Sequence, residues 1–401
     1  MGFSLPNFLK RTPPASLREY IETTGFSGFD GIDWSAKAPA LSMRFREIMD
    51  ALPEYESSRV QDDFERVDQL CDEAGQRALQ SVLGFESELL NAVRASDSNE
   101  ARGLLVLIRN DRAFDHALAT AYAESFTNGR TWDAFSLNAP RIPAHDDSKI
   151  AALQSEISTI FKVFDGSGSR LKIEFFERRG HRFEGGAEAT VIHYSVYVEG
   201  LPETELQFKS DEPTRLTRRP VIQAAICYEP GTGDIDIVSK GGRPVRKEIA
   251  HAFARCLLGS NDELERVEQR VFTLDRLKRP MPFPHDQADG IKNVQVTYLR
   301  LQNIASESGR VTIEKKSGDS VGIHDKSAGW FGDRDPLKLS DWRVTQAKLC
   351  IIFHPEARER RDKRITIDLR APNGSNLKDQ TRRHQLVSRK CLPRWELVER
   401  P

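Results

Sequence analysis

Residues 219–259 constrain the fold of this chain more than any other stretch. Residues 221–228 form a short, nearly continuous apolar run between a proline and a Pro-Gly-Thr-Gly turn, which predicts a buried strand. A second strand is predicted at residues 235–238, and Pro244 then stands where the first turn of a helix accepts a residue without an amide hydrogen. The apolar residues of that helix recur at helical spacing: Val245, Ile249, Phe253 and Leu257. The sequence therefore predicts a hairpin covered by a helix, which is a folding unit and not in itself an active site.

The N-terminal third of the chain predicts a different kind of domain. Residues 60–82 carry an apolar stripe at helical spacing with acidic residues on the other face, and several shorter helical segments flank them. Residues 1–150 have a net charge of −8. We therefore predict an acidic all-helical bundle over residues 1–140, followed by a proline-containing linker at 138–147. Trp132 and Phe135 are predicted to dock on this bundle.

Two further domains are predicted to combine antiparallel sheets with helices, so that the whole chain is an α+β protein. The first covers residues 147–260 as a helix, a five-strand meander and a second helix, with strands at 171–176, 189–198, 204–209, 221–228 and 235–238. The second covers residues 273–401, with strands at 291–302, 310–316, 344–353 and 364–370 and a last helix at 376–391. A weak internal repeat relates residues 225–257 to residues 351–392, either by duplication or because hairpin-plus-helix units resemble one another.

Cysteine use and hydropathy indicate the compartment. The five cysteines are far apart, their number is odd, and no Cys-x-x-Cys motif occurs: Cys71, Cys227, Cys256, Cys350 and Cys391. No stretch approaches 18 uncharged apolar residues, and the N-terminus has no secretory apolar core. We expect a reduced, cytoplasmic protein without a membrane span or disulfides.

One strand carries a set of residues that could act as a nuclease. Asp234, Asp236 and Lys240 are separated by even numbers, so their side chains are predicted on one face of the 234–240 strand. Two-metal nucleases need acids and a lysine on one face, and Glu174 is the obvious additional acid. The same pattern is also typical of the solvent face of a half-buried strand. No glycine-rich phosphate loop, nucleophile elbow or metalloprotease motif occurs in the sequence.

Two polar segments contain residues that can bind metals. His181, Glu184 and Glu188 lie in a glycine-containing hairpin tip, and a second set contains His285, Asp286 and Asp289. Neither follows the spacing of a calcium loop, and solvated loop residues explain both sets, so we predict no metal site and no cofactor. Four further candidates are interpreted as packed or surface residues and not as ligands: His193, His251, His354 and Cys256. Three aromatic residues on predicted strands could stack on bases but are interpreted as core: Tyr194, Tyr197 and Phe208.

The C-terminal 61 residues have a net charge of +7, which is the strongest functional signal of the sequence. Basic residues cluster at a predicted hairpin tip and on the last helix, where they could contact phosphates of DNA or RNA through residues 358–394. The predicted nucleic-acid-binding residues are Arg361, Arg364, Lys378, Arg382, Arg383 and Arg389. Acidic residues interrupt the hairpin tip, so a solvated charged hairpin is the alternative interpretation.

The sequence thus predicts a non-catalytic binding or scaffold protein with different partners at its two ends. The acidic domain at residues 1–140 would bind a protein, and the basic C-terminal surface would bind nucleic acid. A subunit of a bacterial nucleic-acid-handling or antiviral defence complex would fit this description. The alternative hypothesis is a metal-dependent nuclease-like hydrolase that uses the 234–240 strand.

Overall fold

The chain forms two compact units, Met1–Val267 and Glu268–Pro401, in the computed structural model. The structure describes residues 3–85, 87–127, 131–180, 189–209, 212–267, 271–305, 309–316, 318–355, 362–377, 380 and 382–399. Among these residues, no helix is long and apolar enough to cross a membrane.

The described part of the first unit begins with eight α-helices. They are α1 (Leu5–Arg11), α2 (Pro14–Thr24), α3 (Ala38–Ala51), α4 (Glu54–Gln69), α5 (Glu73–Val82), α6 (Ser87–Ala95), α7 (Asn99–Arg109) and α8 (Asp111–Phe126). Polar residues cap three of them, because Asp72, Ser98 and Asn110 accept hydrogen bonds from the first-turn amides of α5, α7 and α8. Aromatic side chains fill the space between the helices, and Phe64 contacts three other rings: Phe8, Tyr20 and Phe45.

A six-stranded antiparallel sheet follows in the same unit. Its strands are β1 (Trp132–Ser136), β2 (Leu171–Gly180), β3 (Ala189–Glu199), β6 (Val221–Glu229), β7 (Asp234–Val238) and β8 (Glu265–Arg266), in the order β2-β3-β6-β7-β1-β8. Helices α9 (Asp147–Phe164) and α10 (Gly242–Leu258) pack on one face of it, where Ile235 and Ile237 are fully buried. Helix α8 covers part of the other face, with Ala123 against Trp132 and Val238. Both faces of the central strands are therefore buried.

A separate hairpin leaves this sheet between β3 and β6. It consists of β4 (Glu203–Lys209) and β5 (Glu212–Arg218), which pair with each other along their whole length. Among the described residues, neither strand pairs with any other strand. The predicted meander therefore differs from the observed sheet, because residues 204–209 lie outside it and β1 and β8 join it.

The second unit is a five-stranded antiparallel sheet with helices. The strands are β9 (Ile291–Asn303), β10 (Arg310–Glu314), β11 (Trp342–Phe353), β12 (Lys363–Arg370) and β13 (Gly374–Ser375), in the order β10-β9-β11-β12-β13. Helices α11 (Ile323–Phe331) and α12 (Arg382–Arg394) accompany it. One sheet face carries the apolar core of the unit, in which Leu299, Leu349 and Ile367 are fully buried beside Cys391 and Leu392 of α12.

The α+β fold class is confirmed: helices dominate the N-terminal part, and two antiparallel sheets with helices follow. The hairpin and helix predicted at residues 219–259 are β6, β7 and α10. Trp132 does pack beside α8, but both Trp132 and Phe135 belong to strand β1 of the sheet, which the sequence prediction missed. Helix α11 was also missed. The described helix α12 extends past the predicted end at residue 391 and contains Pro393. The domain boundaries and the internal duplication stay predictions.

Candidate functional site

Of the residues in the nuclease hypothesis, Glu174 lies far from the other three on the first sheet. Asp234 and Asp236 share one face of β7, as predicted. This is the face on which α8 packs, and both aspartates are only partly exposed there. Asp236 aligns with Cys227 and His193 across the sheet, whereas Glu174 aligns with Val238 from the far strand β2. Three strand spacings, about 14 Å, therefore separate Glu174 from β7. Lys240 follows the end of β7 and is exposed.

A buried polar cluster occupies the interface between this sheet face and α8. His193 and Cys227 are neighbours on β3 and β6, with 3.4 Å between Nδ1 and Sγ. Arg178 of β2 donates a hydrogen bond to Cys227 Sγ at 3.9 Å and another to Glu124 of α8 at 3.3 Å. Phe176 stacks between His193 and His116 of α8. Sheet and helix are thus joined by polar and aromatic contacts as well as by apolar packing.

Burial sets the protonation states of this cluster. It raises the pKa of the Cys227 thiol to about 11, although Arg178 opposes this effect. It also lowers the pKa of His193 well below 6.5, and the positive charges of Arg178 and His116 add to this effect. Cys227 is therefore a thiol and His193 a neutral imidazole at neutral pH, which is the reverse of the thiolate–imidazolium pair that a cysteine nucleophile needs. The cluster has the character of a structural connection.

A second buried charge lies near the start of α10. Asp133 of β1 accepts hydrogen bonds from Arg246 Nε at 2.6 Å and from Arg266 Nη2 at 3.1 Å, and Arg243 is 4.0 Å away. Its side chain is only 3% exposed. Arg246 also donates to the carbonyl oxygen of Ser239. One carboxylate thus joins β1 to α10 and β8, whose arginines follow Asp133 by 113 and 133 residues.

Part of the basic tail is occupied by internal ion pairs. Lys390 contacts Asp286 at 2.5 Å and Asp289 at 2.8 Å, and Arg394 contacts Asp286 at 2.6 Å. Hydrogen bonds from Arg394 and Lys390 lower the pKa of Asp286 to about 2. Asp286 and Asp289, considered above as metal ligands, therefore hold α12. His181, Glu184 and Glu188 lie outside the described residues, and among the described residues no three ligating side chains are grouped for a metal.

Those predicted nucleic-acid-binding residues that the structure describes belong to elements on two sides of the second sheet. Arg361 and Lys378 lie outside the described residues. Arg382, Arg383 and Arg389 belong to α12, which packs on the apolar face of the second sheet, and Arg389 is half-buried. Arg364 is exposed on the opposite face, because its neighbour Ile365 points into the core. Arg364 and the arginines of α12 therefore belong to opposite sides of the second sheet.

The polar face of the second sheet, on which Arg364 lies, carries further basic residues along its strands. We call it the basic sheet face; its basic residues are Arg300, Arg310, Arg343, Lys348, Arg364 and Arg370. They lie in rows across the strands: Arg310 and Arg343 flank Gln302, and Arg370 aligns with Gln346 and Arg300. The acidic residues of this face are Glu314 and Asp368, so its charge is strongly positive.

One aromatic residue lies within these rows. The Tyr298 ring has Lys348 Nζ at 4.8 Å from its centroid and the Arg300 guanidinium at 5.8 Å. Burial disfavours ionisation of the nearby Asp368, but hydrogen bonds from Arg370 and Gln346 outweigh it and lower the pKa of this carboxyl. Arg310, Arg343 and Arg364 are exposed. The arrangement can hold a row of phosphate groups without reading base identity.

Sequence reasoning missed most of this surface because it searched for runs of basic residues. The signal was the alternation along the strands, where Tyr298, Arg300 and Gln302 alternate with Leu299 and Leu301.

In comparisons with known proteins, no model of a protein family matches this chain, and no curated protein matches it either.

Proposed function

We propose that this chain is a non-catalytic, cytoplasmic binding protein that holds nucleic acid on the basic sheet face and a protein partner on residues 1–140. The observation that supports the nucleic-acid part is the set of cations on one face of β9 to β12. Four of its arginines are exposed: Arg310, Arg343, Arg364 and Arg370. The setting expected from the sequence, a bacterial nucleic-acid-handling or antiviral defence complex, belongs to the same proposal.

The chemistry favours phosphate contacts over base recognition. Arginine forms paired hydrogen bonds with phosphate oxygens, and each neutralised phosphate releases condensed counterions. Tyr298 is only 7% exposed, with the cations Arg300 and Lys348 over its ring, so base stacking is a poor role for it. We therefore expect binding that depends strongly on salt and weakly on sequence.

A charge-matched pair of variants tests this proposal. Arg310→Ala/Arg343→Ala/Arg364→Ala removes three cations from the basic sheet face, and Arg18→Ala/Arg44→Ala/Arg109→Ala removes three exposed cations from the helical part. Fluorescence anisotropy with single-stranded and duplex DNA and RNA would give Kd at several salt concentrations. The first variant should lower the slope of log K against log salt by about 0.7–0.9 for each phosphate that the protein no longer neutralises.

The control variant should keep the parental slope, because its arginines lie in the acidic part of the chain. A parent protein that binds none of the four nucleic acids at low salt would contradict the proposal. Equal loss of affinity in both variants would contradict the assignment to the basic sheet face, since only net charge would then matter.

The protein-partner part rests on the charge of the N-terminal segment, −8 over residues 1–150. Its test is a pull-down with the products of neighbouring genes, using the full chain as bait. A chain that captures none of them and stays monomeric would contradict this part while leaving the nucleic-acid part intact.

A further inference from the structure

The β4–β5 hairpin exposes more apolar surface than a stable solvated hairpin should. Pairing across the two strands places Leu206 and Phe208 on the same face as Thr204 and Pro213. Leu206 is 67% exposed and Phe208 is 77% exposed. Two-stranded hairpins without further packing are marginally stable in water, so this one lacks the support that a third strand or a covering layer would supply.

The two edges of the hairpin differ in their capacity to accept another strand. On β5, Pro213 has no amide hydrogen to donate, and Arg215 would oppose itself in a symmetric pairing centred on that residue. On β4 there is no proline, and the sequence Glu-Thr-Glu-Leu-Gln-Phe-Lys places acids at one end and a lysine at the other. The β4 edge is thus the edge whose sequence permits pairing with another strand.

The β4 sequence is complementary to itself in an antiparallel arrangement. A two-fold axis at Leu206 places Leu206 opposite Leu206 of a second copy and Glu203 opposite its Lys209. Glu205 then faces Gln207, and Thr204 faces Phe208, so no like charges meet. The hairpin as a whole balances Glu203, Glu205 and Glu212 with Lys209, Arg215 and Arg218, which makes a polyanion a poor occupant of this surface.

We propose that the chain forms a two-fold dimer by antiparallel pairing of β4 with β4 of a second copy, centred on Leu206. The result is a four-stranded sheet in the order β5-β4-β4-β5, with Leu206 and Phe208 of both copies adjacent on one face. A pairing of this size buries less than the roughly 1,200–2,000 Å² of a standard stable interface, so the dimer should be weak and concentration-dependent. Pairing of β4 with β5 of another copy would instead propagate into open fibres.

Cysteine cross-linking tests both the contact and its register. Leu206→Cys places a thiol on the two-fold axis, where directly opposed residues of antiparallel strands are close enough for a disulfide. Under mild oxidation most of this variant should run as a disulfide-linked dimer on a non-reducing gel. Leu216→Cys, on the opposite hairpin face and on β5, should give no more dimer than the parent, four of whose five cysteines are buried.

Mixing Thr204→Cys with Phe208→Cys should give cross-linked heterodimers, whereas each of these variants alone should give few. This result would fix the register, since only an axis at Leu206 places residues 204 and 208 opposite each other. Equal cross-linking of Leu206→Cys and Leu216→Cys would overturn the proposal.

Sedimentation of the unmodified chain gives an independent measurement. The parent should show a reversible equilibrium between 45.4 kDa and twice that mass. Leu206→Lys should weaken the dimer by about tenfold or more because two lysines meet on the axis, and Leu216→Lys should leave it unchanged. A parent that remains monomeric at its highest soluble concentration, or that forms larger open assemblies, would overturn the proposal whatever its affinity for nucleic acid.

Discussion

His193 shows how a single residue connects local packing to the behaviour of the protein. Its side chain is fully buried on β3, 4.7 Å from the Phe176 ring and beside Cys227. Among the described residues, its Nε2 atom has no hydrogen-bond partner. A proton added to this imidazole would be placed near Arg178 without a compensating acceptor, so the fold favours the neutral form.

We expect the stability of the protein to fall below pH 6.5 in part because of His193. The pKa of His193 in the folded protein lies well below 6.5, so this imidazole binds a proton more readily in the unfolded chain than in the folded one. The contribution of His193 to the free energy of unfolding is therefore fully present above pH 6.5. It is lost as the pH falls, by up to about 1.4 kcal/mol per pH unit. Urea unfolding at a series of pH values should show a shallower decline for His193→Gln than for the parent.

The exposed His354 provides the control for this measurement. His354→Gln shows what the same substitution does at an exposed position. His116 should account for part of the decline that remains in His193→Gln, since its pKa is also lowered by burial. Parallel curves for the parent and His193→Gln would contradict the prediction.

At the scale of elements, helix α10 has a glycine at each end in the left-handed region. Gly241 before the helix has φ of 97°, and Gly259 after it has φ of 59°. Their surroundings differ. A Cβ atom at Gly241 would lie 2.6 Å from Val245 Cγ2, whereas at Gly259 nothing lies within 4 Å.

Alanine at these two positions should therefore have unequal effects. Gly259→Ala should cost about 1–2 kcal/mol of unfolding free energy, because only the left-handed backbone is disfavoured. Gly241→Ala should cost about 2–5 kcal/mol, since overpacking against the buried Val245 is added. Urea unfolding of both variants checks the difference. Equal costs would show that Val245 moves aside freely and would contradict the packing argument.

Elements with a strong local pattern were predictable from the sequence, and elements defined by distant partners were not. β6, β7 and α10 follow from an apolar run, a turn and helical spacing within one stretch. Strand β1 has five residues, and its partner β7 lies far along the chain, so no local pattern marks it. The sequence predicted which side chains share a face with Asp236 on β7. It did not predict that α8 packs on this face, because nothing in the sequence near residue 236 indicates that contact.

The candidate surfaces show the same limit. The net charge of the tail was visible in the sequence, whereas the pairing of Lys390 and Arg394 with Asp286 depends on residues about a hundred positions earlier. The alternation of Tyr298, Arg300 and Gln302 was present in the sequence. That these residues lie beside the cations of β10, β11 and β12 on one surface could be seen only from the pairing of the strands.

At the scale of the whole molecule, the apolar core residues of the two compact units belong to separate clusters. The core of the second unit contains residues between Phe272 and Val398, and the cores of the first contain residues between Phe8 and Leu264. Units with separate cores can open separately.

A core substitution in one unit should therefore weaken that unit alone. Leu349 of β11 is fully buried in the second core, and Leu349→Ala should cost about 2–5 kcal/mol. Hydrogen exchange followed by mass spectrometry should show reduced protection in peptides from the second unit and parental protection in β6, β7 and α10. The mirror variant, Leu153→Ala in α9, should reverse this distribution, and a uniform reduction in both units for either variant would contradict independent opening.

The position of β1 also imposes an order in time on the synthesis of the chain. This strand leaves the ribosome about a hundred residues before β7, so at about 5–20 residues per second it waits roughly 5–20 s for its partner. Until then β1, with Trp132 and Phe135, has no strand to pair with. The carboxylate of Asp133 has not yet formed its ion pairs with Arg246 and Arg266. The nascent helical segment thus carries an unpaired apolar strand at its C-terminal end, and chaperones that bind such strands have a defined interval in which to act on this protein.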